Sequence, residues 1–270
     1  GLCRVRCARR DAAGAGRGVR ITLAALLSDA WALFRREADL LVRAAGLFLF
    51  VPTYALLLLV GPLPFPDPDI ADTQARAQAW MDKLDVWVGD YGLGSVIAYA
   101  ITYFGTALLY CLLLDRNRPT VGEALKRTAV MFPRYLLAMV VVSIPSGAGM
   151  YLLLLPGLWL MSRFMLAGPI LFAEAPVGAM AAVGRSWRLT RKAQFSLLGA
   201  IVTVYLGAVL AGQPFMLVAR WLGGTAAEGG GANPLAVAIV HAFAAGVATL
   251  AQIAGVLIAV AAYRRVSVAD

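Results

Sequence analysis

The sequence predicts an all-α polytopic membrane protein with six transmembrane helices. Of its 270 residues, 61% are hydrophobic and 14% are charged, whereas soluble domains average about 45–50% apolar and about 25% charged residues. Several apolar runs reach the roughly 20 residues that a helix needs to cross about 30 Å of hydrocarbon. No segment between these runs could bury a core of its own. We therefore expect one membrane domain over residues 21–265.

Six apolar runs give the approximate positions of the spans. The runs cover residues 40–61, 94–114, 135–155, 158–173, 195–222 and 235–263. The dipeptide Pro156-Gly157 separates the third run from the fourth, which predicts a helical hairpin at that point. The fifth and sixth runs are longer than a bilayer requires, and helix tilt would accommodate the excess.

The charges of the connecting segments predict that both termini are cytoplasmic. Residues 1–43 carry nine Arg against four acidic residues, and residues 115–134 and 174–192 each carry a net charge of +3. Residues 62–93 instead carry six Asp against two cations. Loops rich in Lys and Arg stay in the cytoplasm, so the basic segments are placed inside. Anionic lipid, not nucleic acid, is the expected partner of cations in these membrane-proximal positions.

Both ends of the chain are expected to lie outside the membrane domain. Residues 1–20 are basic and contain no apolar stretch before the Arg cluster, which predicts a disordered extension and not a secretory signal. An organellar targeting segment is the alternative for this stretch. Residues 266–270 are expected to form a short C-terminal tail. Cys3 and Cys7 lie on the reducing side, so no disulfide is expected, and no further ligands lie nearby to complete a metal site.

Three basic amphipathic segments precede the first, third and fifth spans and resemble one another. The first and third, TLAALLSDAWALFRREADLL and GAMAAVGRSWRLTRKAQFSL, align at Trp31 and Trp187. In this alignment the cations that follow coincide, with Arg35 and Arg36 opposite Arg191 and Lys192. We therefore predict three repeats of one unit, an interfacial helix followed by a helical hairpin.

The cations of these segments are the predicted contacts for lipid headgroups. In RSWRLTRK, the cations recur at helical spacing, and the Trp ring suits the headgroup level. Each cation near the surface of an anionic membrane contributes about 1 kcal/mol of attraction. The predicted contacts are Arg185, Trp187, Arg188, Arg191, Lys192, Arg35 and Arg36. A simple topology signal is the alternative explanation of the same charges.

A layer of polar residues inside the spans is a second candidate site. Arg163 interrupts the apolar run GLWLMSRFMLAGPI, and a charge in hydrocarbon costs about 2.5–3.5 kcal/mol. At about 1.5 Å per residue, Arg163 lies at a depth similar to those of His241, Gln213 and Thr102. A polar intramembrane site of this kind would suit a small permease or export component. Alternatively, Arg163 snorkels to the surface while its stem packs on Trp159.

Prolines inside the spans bear on whether the protein is a permease. Pro52, Pro145, Pro169 and Pro214 each stand within a predicted span, and the run SIPSGAG at residues 143–149 predicts a strong local break. Broken helices can expose backbone groups to a transported substrate. Prolines that merely kink membrane helices are common and have no such role.

The run LPGLWLMSRFMLAGPILFAEAPVGAMAAVGRSWRLTRK resembles the membrane domain of some bacterial glycerophosphoryl diester phosphodiesterases and related small inner-membrane proteins. The resemblance rests on Pro156-Gly157, on a P-x-x-x-x-E motif from Pro169 to Glu174, and on an R-S-W-x-L-T core that begins at Arg185. It implies a multi-pass protein of the bacterial inner membrane. The family's phosphodiesterase activity needs His-rich and acidic motifs in a separate barrel. This chain has a single His, so no catalytic residue carries over.

The residues offer little chemistry of their own. His241 is the one His available as a general base, and no acidic residue lies near it in sequence to orient it. Paired carboxylates are missing from the spans, and no cofactor motif has the required context. We therefore expect a non-catalytic inner-membrane protein without a cofactor. Its basic amphipathic helices would engage anionic lipid or a membrane protein partner.

Overall fold

The computed structural model of the protein describes residues 22–115, 120–152, 154–222 and 233–269, and all regular secondary structure in these ranges is helical. Six helical segments are long and apolar enough to cross a membrane: Leu23–Leu59, Thr73–Leu114, Val121–Gly149, Leu155–Ala173, Gln194–Trp221 and Pro234–Ser267. The prediction of an all-α chain with six such helices is confirmed. The N-terminal extension predicted for residues 1–20 lies outside the described ranges.

The first span begins as an amphipathic helix and continues as an apolar one. Helix α1, Leu23–Ala45, begins at Thr22, whose side chain accepts a hydrogen bond from the backbone N–H of Ala25 at 3.3 Å. The helix kinks at Glu37, where φ is −114° and ψ is 18°. A π-helical turn at Gly46–Phe50 then leads into α2, Val51–Leu59. The amphipathic and apolar parts of this segment therefore meet at a kink and not at a loop.

The second span extends far beyond its apolar run. Helix α3, Thr73–Leu114, is capped by Asp72, which accepts a hydrogen bond from the backbone N–H of Gln74. Its N-terminal part lies within the acidic segment 62–93, which the sequence marks only as a connection. The indole N–H groups of Trp80 and Trp87 donate to the carbonyls of Pro64 and Gly61 at 2.9 and 3.0 Å. These bonds fasten the residues before α3 against the extended helix.

The third and fourth spans pack closely, but their reversal is not at Pro156-Gly157. Helix α4, Val121–Leu152, runs without interruption through Pro145, so the predicted break at residues 143–149 is absent. Helix α5, Leu154–Phe164, contains Pro156 and Gly157 near its beginning. Proline is tolerated there because the first N–H groups of a helix have no intrahelical partner. A Cβ on Gly149 would lie 3.0 Å from the Gly157 Cα, so the two backbones approach closely.

Two short helices follow α5: one is buried in the centre of the bundle, and the other packs on its flank. Helix α6, Ala167–Ala173, contacts α3, α4, α7 and α9, and its first six residues are buried. Helix α7, Ala179–Leu189, is followed by a 3₁₀ turn at Thr190–Lys192. Helix α7 contacts α4, α5 and α6, so it is packed against the bundle as well as being amphipathic.

The last two spans are long, uninterrupted helices. Helix α8, Gln194–Trp221, runs through Pro214, and helix α9, Pro234–Ala269, includes most of the residues expected to form a C-terminal tail. Residues 266–269 are therefore helical. Arg265 on α9 holds Asp29 on α1 at 2.5 Å, which ties the end of the chain to the first helix.

The bundle has two ends that differ in charge. At one end, α1 and α4 begin while α3 and α9 finish, and Arg127 pairs there with Asp115. We name this the basic end. At the other, α2 and α8 finish while α3 and α9 begin, and the Tyr54 hydroxyl donates to the Ala238 carbonyl at 3.2 Å. We name this the acidic end, after the six Asp of residues 62–93.

Candidate functional site

Arg163 is buried where α5 meets α7. Its side chain is 3% exposed, and its guanidinium carbon lies 4.3 Å from the centre of the Trp187 ring and 5.8 Å from that of Trp159. Cation–π contacts contribute about 2 kcal/mol when they are desolvated. Its Nε and Nη1 atoms have no hydrogen-bond partner in the described ranges. Aromatic rings are therefore the main neighbours of this charge, and the side chain does not snorkel to the surface.

The backbone of Arg163 is held by a hydroxyl group of the neighbouring helix. Ser186 Oγ donates to the Arg163 carbonyl at 2.8 Å, while Thr190 Oγ1 lies 3.3 Å from that carbonyl and donates to the Ser186 carbonyl at 2.8 Å; both residues have 0% exposure. The last carbonyls of a helix have no partner within it, and α5 ends at Phe164. These two residues were not singled out from the sequence. Two small hydroxyl residues one turn apart, opposite the exposed Arg188, were the available signal.

The four residues of the predicted polar layer do not come together. His241 is 3% exposed and lines a separate cavity, Gln213 is exposed, and the Thr102 hydroxyl donates to the carbonyl of Ala98 in its own helix. Within the described part of the chain, no hydrogen bond or ring contact joins any of them to Arg163. Depth along one span says nothing of its neighbours. Helix α7 returns to the level of Arg163 and places Ser186 and Trp187 beside it.

Four of the predicted headgroup contacts are exposed. Arg35, Arg188 and Arg191 are on the surface, and none of them forms an ion pair with another described residue. Arg36 is also exposed and pairs with Glu37 at 2.9 Å. The side chain of Lys192 lies outside the described part of the structure. The exposed cations of α7 and its 3₁₀ turn are thus available to a ligand.

Two of the predicted headgroup contacts are used inside the protein. Arg185 pairs with Glu174 at 2.8 Å, and the same carboxylate accepts a hydrogen bond from the Tyr263 hydroxyl at 3.0 Å. Trp187 is half-buried, and its ring centre lies 5.6 Å from Trp159 and 5.4 Å from Phe164. The ring of Trp187 therefore covers Arg163 and is packed against its aromatic neighbours.

An apolar cavity of about 420 Å³ lies beside this cluster, among α3, α4, α5, α6, α8 and α9. Met161, Phe164 and Met165 contribute to its wall next to Arg163. Met161 and Tyr205 line the cavity and are 38% and 36% exposed, so it opens at the side of the bundle between α5 and α8. A Cβ on Gly255, which also lines it, would meet no atom within 4 Å. The space in front of this glycine is open.

The described residues hold no group of three or more His, Cys, Asp or Glu side chains that could bind a metal ion. Scans against models of protein families, curated protein sequences and solved structures found no match to this chain. The resemblance to the phosphodiesterase-associated membrane domain therefore stays a prediction. The site consists of an apolar cavity beside a packed basic helix.

Proposed function

We propose that this chain is a non-catalytic integral membrane protein that binds lipid. An acyl chain would occupy the apolar cavity between α5 and α8, and the exposed cations of α7 would attract an anionic headgroup. The observation that carries the proposal is the cavity, because it opens sideways within spans that are long and apolar enough to cross a membrane.

The lining of the cavity supports an acyl chain as its occupant. A volume of about 420 Å³ falls within the roughly 300–1,000 Å³ range of ligand pockets. Three of its lining residues are methionines: Met139, Met161 and Met165. Methionine is flexible and polarizable, which suits contacts with a ligand of variable shape. None of the described residues that line the cavity is charged.

The position of α7 supports the headgroup part of the proposal. Phe164 lines the cavity, and its ring packs on Trp187 of α7 at 5.4 Å. The cations Arg188 and Arg191 lie one and four residues further along the chain from that contact and are exposed. A lipid whose tail enters between α5 and α8 would therefore have cations near its headgroup. We infer that α1 contributes Arg35 and Arg36 to the same surface charge.

The orientation of the protein in the membrane and its internal repeat are part of the same proposal. We infer that the basic end faces the cytoplasm of a bacterial inner membrane, since loops rich in Lys and Arg remain on that side. The threefold repeat of interfacial helix and hairpin is likewise inferred, from the sequence alignment at Trp31 and Trp187. A membrane protein partner is the other candidate for the basic helices, and it would compete with lipid for the same cations.

A permease with a polar path around Arg163 is the second candidate function. The contacts of Arg163 favour lipid binding over it, because two tryptophan rings occupy the space around the guanidinium. Substitution of Arg163 by Ala would abolish substrate flux if the residue lined a transport path. Arg163→Met, which keeps a long apolar side chain against Trp187, should leave lipid retention by α7 nearly unchanged.

Native mass spectrometry of the purified protein tests the lipid proposal. Gly255→Leu would place a side chain in the open space of the cavity and is expected to remove the lipid that copurifies with the native protein. Gly246→Leu is the matched control, since it lies on the same helix, a Cβ there also meets nothing within 4 Å, and it does not line the cavity. Equal lipid retention by both variants and the native protein would exclude the cavity as the binding site.

A further inference from the structure

A second cavity lies at the acidic end of the bundle. It has a volume of about 370 Å³ and is formed by α2 and the residues that follow it, α3, α8 and α9. Leu56, Leu57 and Met216 give it an apolar wall. Trp87 forms another wall, and its position is fixed by the hydrogen bond of its indole N–H to the Gly61 carbonyl at 3.0 Å. This cavity shares no lining residue with the apolar one between α5 and α8.

Two buried polar atoms at this cavity lack partners. Ser95 is 7% exposed and His241 is 3% exposed, and both line the cavity. Neither Ser95 Oγ nor His241 Nδ1 has a hydrogen-bond partner in the part of the chain that the structure describes. A buried polar atom without a partner is disfavoured by about 1–3 kcal/mol. Both atoms are covered by surrounding protein atoms, so each reaches a ligand in the cavity only when its side chain rotates.

The charge of the cavity indicates the class of that ligand. Arg220 is the one charged residue among the described lining residues, and no carboxylate accompanies it. No described residue forms an ion pair or a hydrogen bond with Arg220. A guanidinium presents a fork of N–H donors that matches phosphate oxygens. The Ser95 hydroxyl can add an O–H donor, and the imidazole of His241 can donate from Nδ1 when that atom carries the ring proton.

We propose that this cavity binds the phosphate group of an amphiphilic molecule. The exposed Arg220 holds the phosphate oxygens, and the side chains of Ser95 and His241 rotate toward them. Leu56, Leu57 and Met216 contact the apolar part. The phosphate belongs either to a phospholipid headgroup of the leaflet at the acidic end or to a free phosphate compound. The inference is independent of lipid binding between α5 and α8, because different helices and different residues form the two cavities.

Calorimetric titration of the purified full-length protein in an uncharged detergent tests this inference. Dihexanoyl phosphatidic acid is the lipid probe, and inorganic phosphate is the probe for a free anion. Arg220→Gln is expected to weaken binding about tenfold or more, as the loss of a charge-assisted hydrogen bond does. Ser95→Ala is expected to weaken it several-fold. Saturable binding of the lipid alone assigns the site to a headgroup, and binding of both probes assigns it to the phosphate group in any form.

Ser146→Ala is the matched control for Ser95→Ala. Ser146 is also 7% exposed, and its Oγ also lacks a partner among the described residues, but it lies on α4, which contributes nothing to this cavity. Its substitution should leave the affinity unchanged. The inference is overturned if neither probe binds, or if Arg220→Gln binds as tightly as the native protein. Should Arg220→Gln prove unstable, an unchanged affinity in Ser95→Ala overturns it in the same way.

Discussion

The guanidinium carbon of Arg163 lies 4.3 Å from the centre of the Trp187 ring. This contact joins the last turn of α5 to α7, and the ring of Trp159 lies 5.8 Å from the same carbon on α5 itself. The carbonyl of Arg163 accepts a hydrogen bond from the Ser186 hydroxyl across the same interface. Arg163 therefore fastens α7 to the bundle with both its side chain and its backbone.

Trp187→Leu is expected to lower the free energy of unfolding by about 2 kcal/mol or more. The variant removes a cation–π contact worth about 2 kcal/mol when it is desolvated, and it leaves a cavity beside Arg163. Trp31→Leu is the control, because Trp31 is 60% exposed and its loss should change stability by about 0.5 kcal/mol or less. Denaturant unfolding followed by circular dichroism measures both. Equal effects of the two variants would show that the contact with Arg163 adds nothing.

A double-mutant cycle isolates the contact from the packing. Arg163→Met keeps a long apolar side chain but removes the cation. In that background, Trp187→Leu should lose less stability than in the native protein, by about 1–2 kcal/mol. A coupling energy near zero, from the same unfolding measurement, would mean that the ring stabilises α7 through packing alone.

Glu174→Gln is expected to loosen the basic end of the bundle. The Glu174 carboxylate accepts from Arg185 of α7 and from the Tyr263 hydroxyl of α9, so one side chain connects three helices. Because Arg185 is 43% exposed, solvent weakens the pair, and the expected loss is about 1 kcal/mol.

Asp39→Asn provides the control for Glu174→Gln. Asp39 also pairs with an arginine, Arg43, at 3.0 Å, but both side chains are more than three-quarters exposed. A pair of this kind contributes about 0.5 kcal/mol or less. The unfolding free energies of the two variants should therefore differ. A Glu174→Gln protein as stable as Asp39→Asn would contradict a structural role for the carboxylate.

The helices of this fold were predictable from the sequence because each span is a long apolar run. The ends of the helices were less predictable, because they depend on contacts that the apolar pattern does not contain. The extension of α3 to Thr73 is one example, since the indole N–H groups of Trp80 and Trp87 fasten it to the preceding loop. Pro156 is another, because a proline that resembles a turn in sequence fits equally well in the first turn of α5.

The candidate site was less predictable than the fold. Depth counted along the fourth span placed Arg163 beside His241, whereas the return of the chain along α7 places it beside Trp187. Spacing within one span does not report which neighbouring helix packs against it. His241 does line a cavity, but its neighbours there, Ser95 and Arg220, are distant in sequence and belong to other helices.

Gly105→Ala is expected to destabilise the packing of α3 on the first span. A Cβ at this position would lie 2.5 Å from the Phe48 Cβ and 3.1 Å from the Phe48 carbonyl oxygen, so backbone must shift to admit it. Overpacking of this kind costs about 1–3 kcal/mol. Gly94→Ala lies on the same helix with no atom within 4 Å of its Cβ, and should be neutral or slightly stabilising. Thermal unfolding of the two variants compares them directly, and a stable Gly105→Ala protein would argue against this close approach.

Removal of the exposed cations of α7 should reduce the enrichment of anionic lipid around the protein. Each cation near the membrane surface contributes about 1 kcal/mol, so Arg188→Gln and Arg191→Gln together should weaken the association by about 2 kcal/mol. The measurement is the fraction of phosphatidylglycerol that remains with the protein when it is extracted in native nanodiscs. Lys83→Gln is the control, because it removes a cation at the acidic end, away from α7, and should leave the enrichment unchanged.

The topology of the double variant must be checked in the same experiment, because fewer cations also weaken the positive-inside signal. Labelling of a cysteine introduced in the 62–93 segment by an impermeant reagent reports which side that segment faces. If the topology is intact and the double variant still enriches anionic lipid, the cations of α7 do not bind headgroups, and α7 serves only to pack against the bundle. A loss of enrichment confined to the double variant, and absent from Lys83→Gln, would establish that its cations bind headgroups.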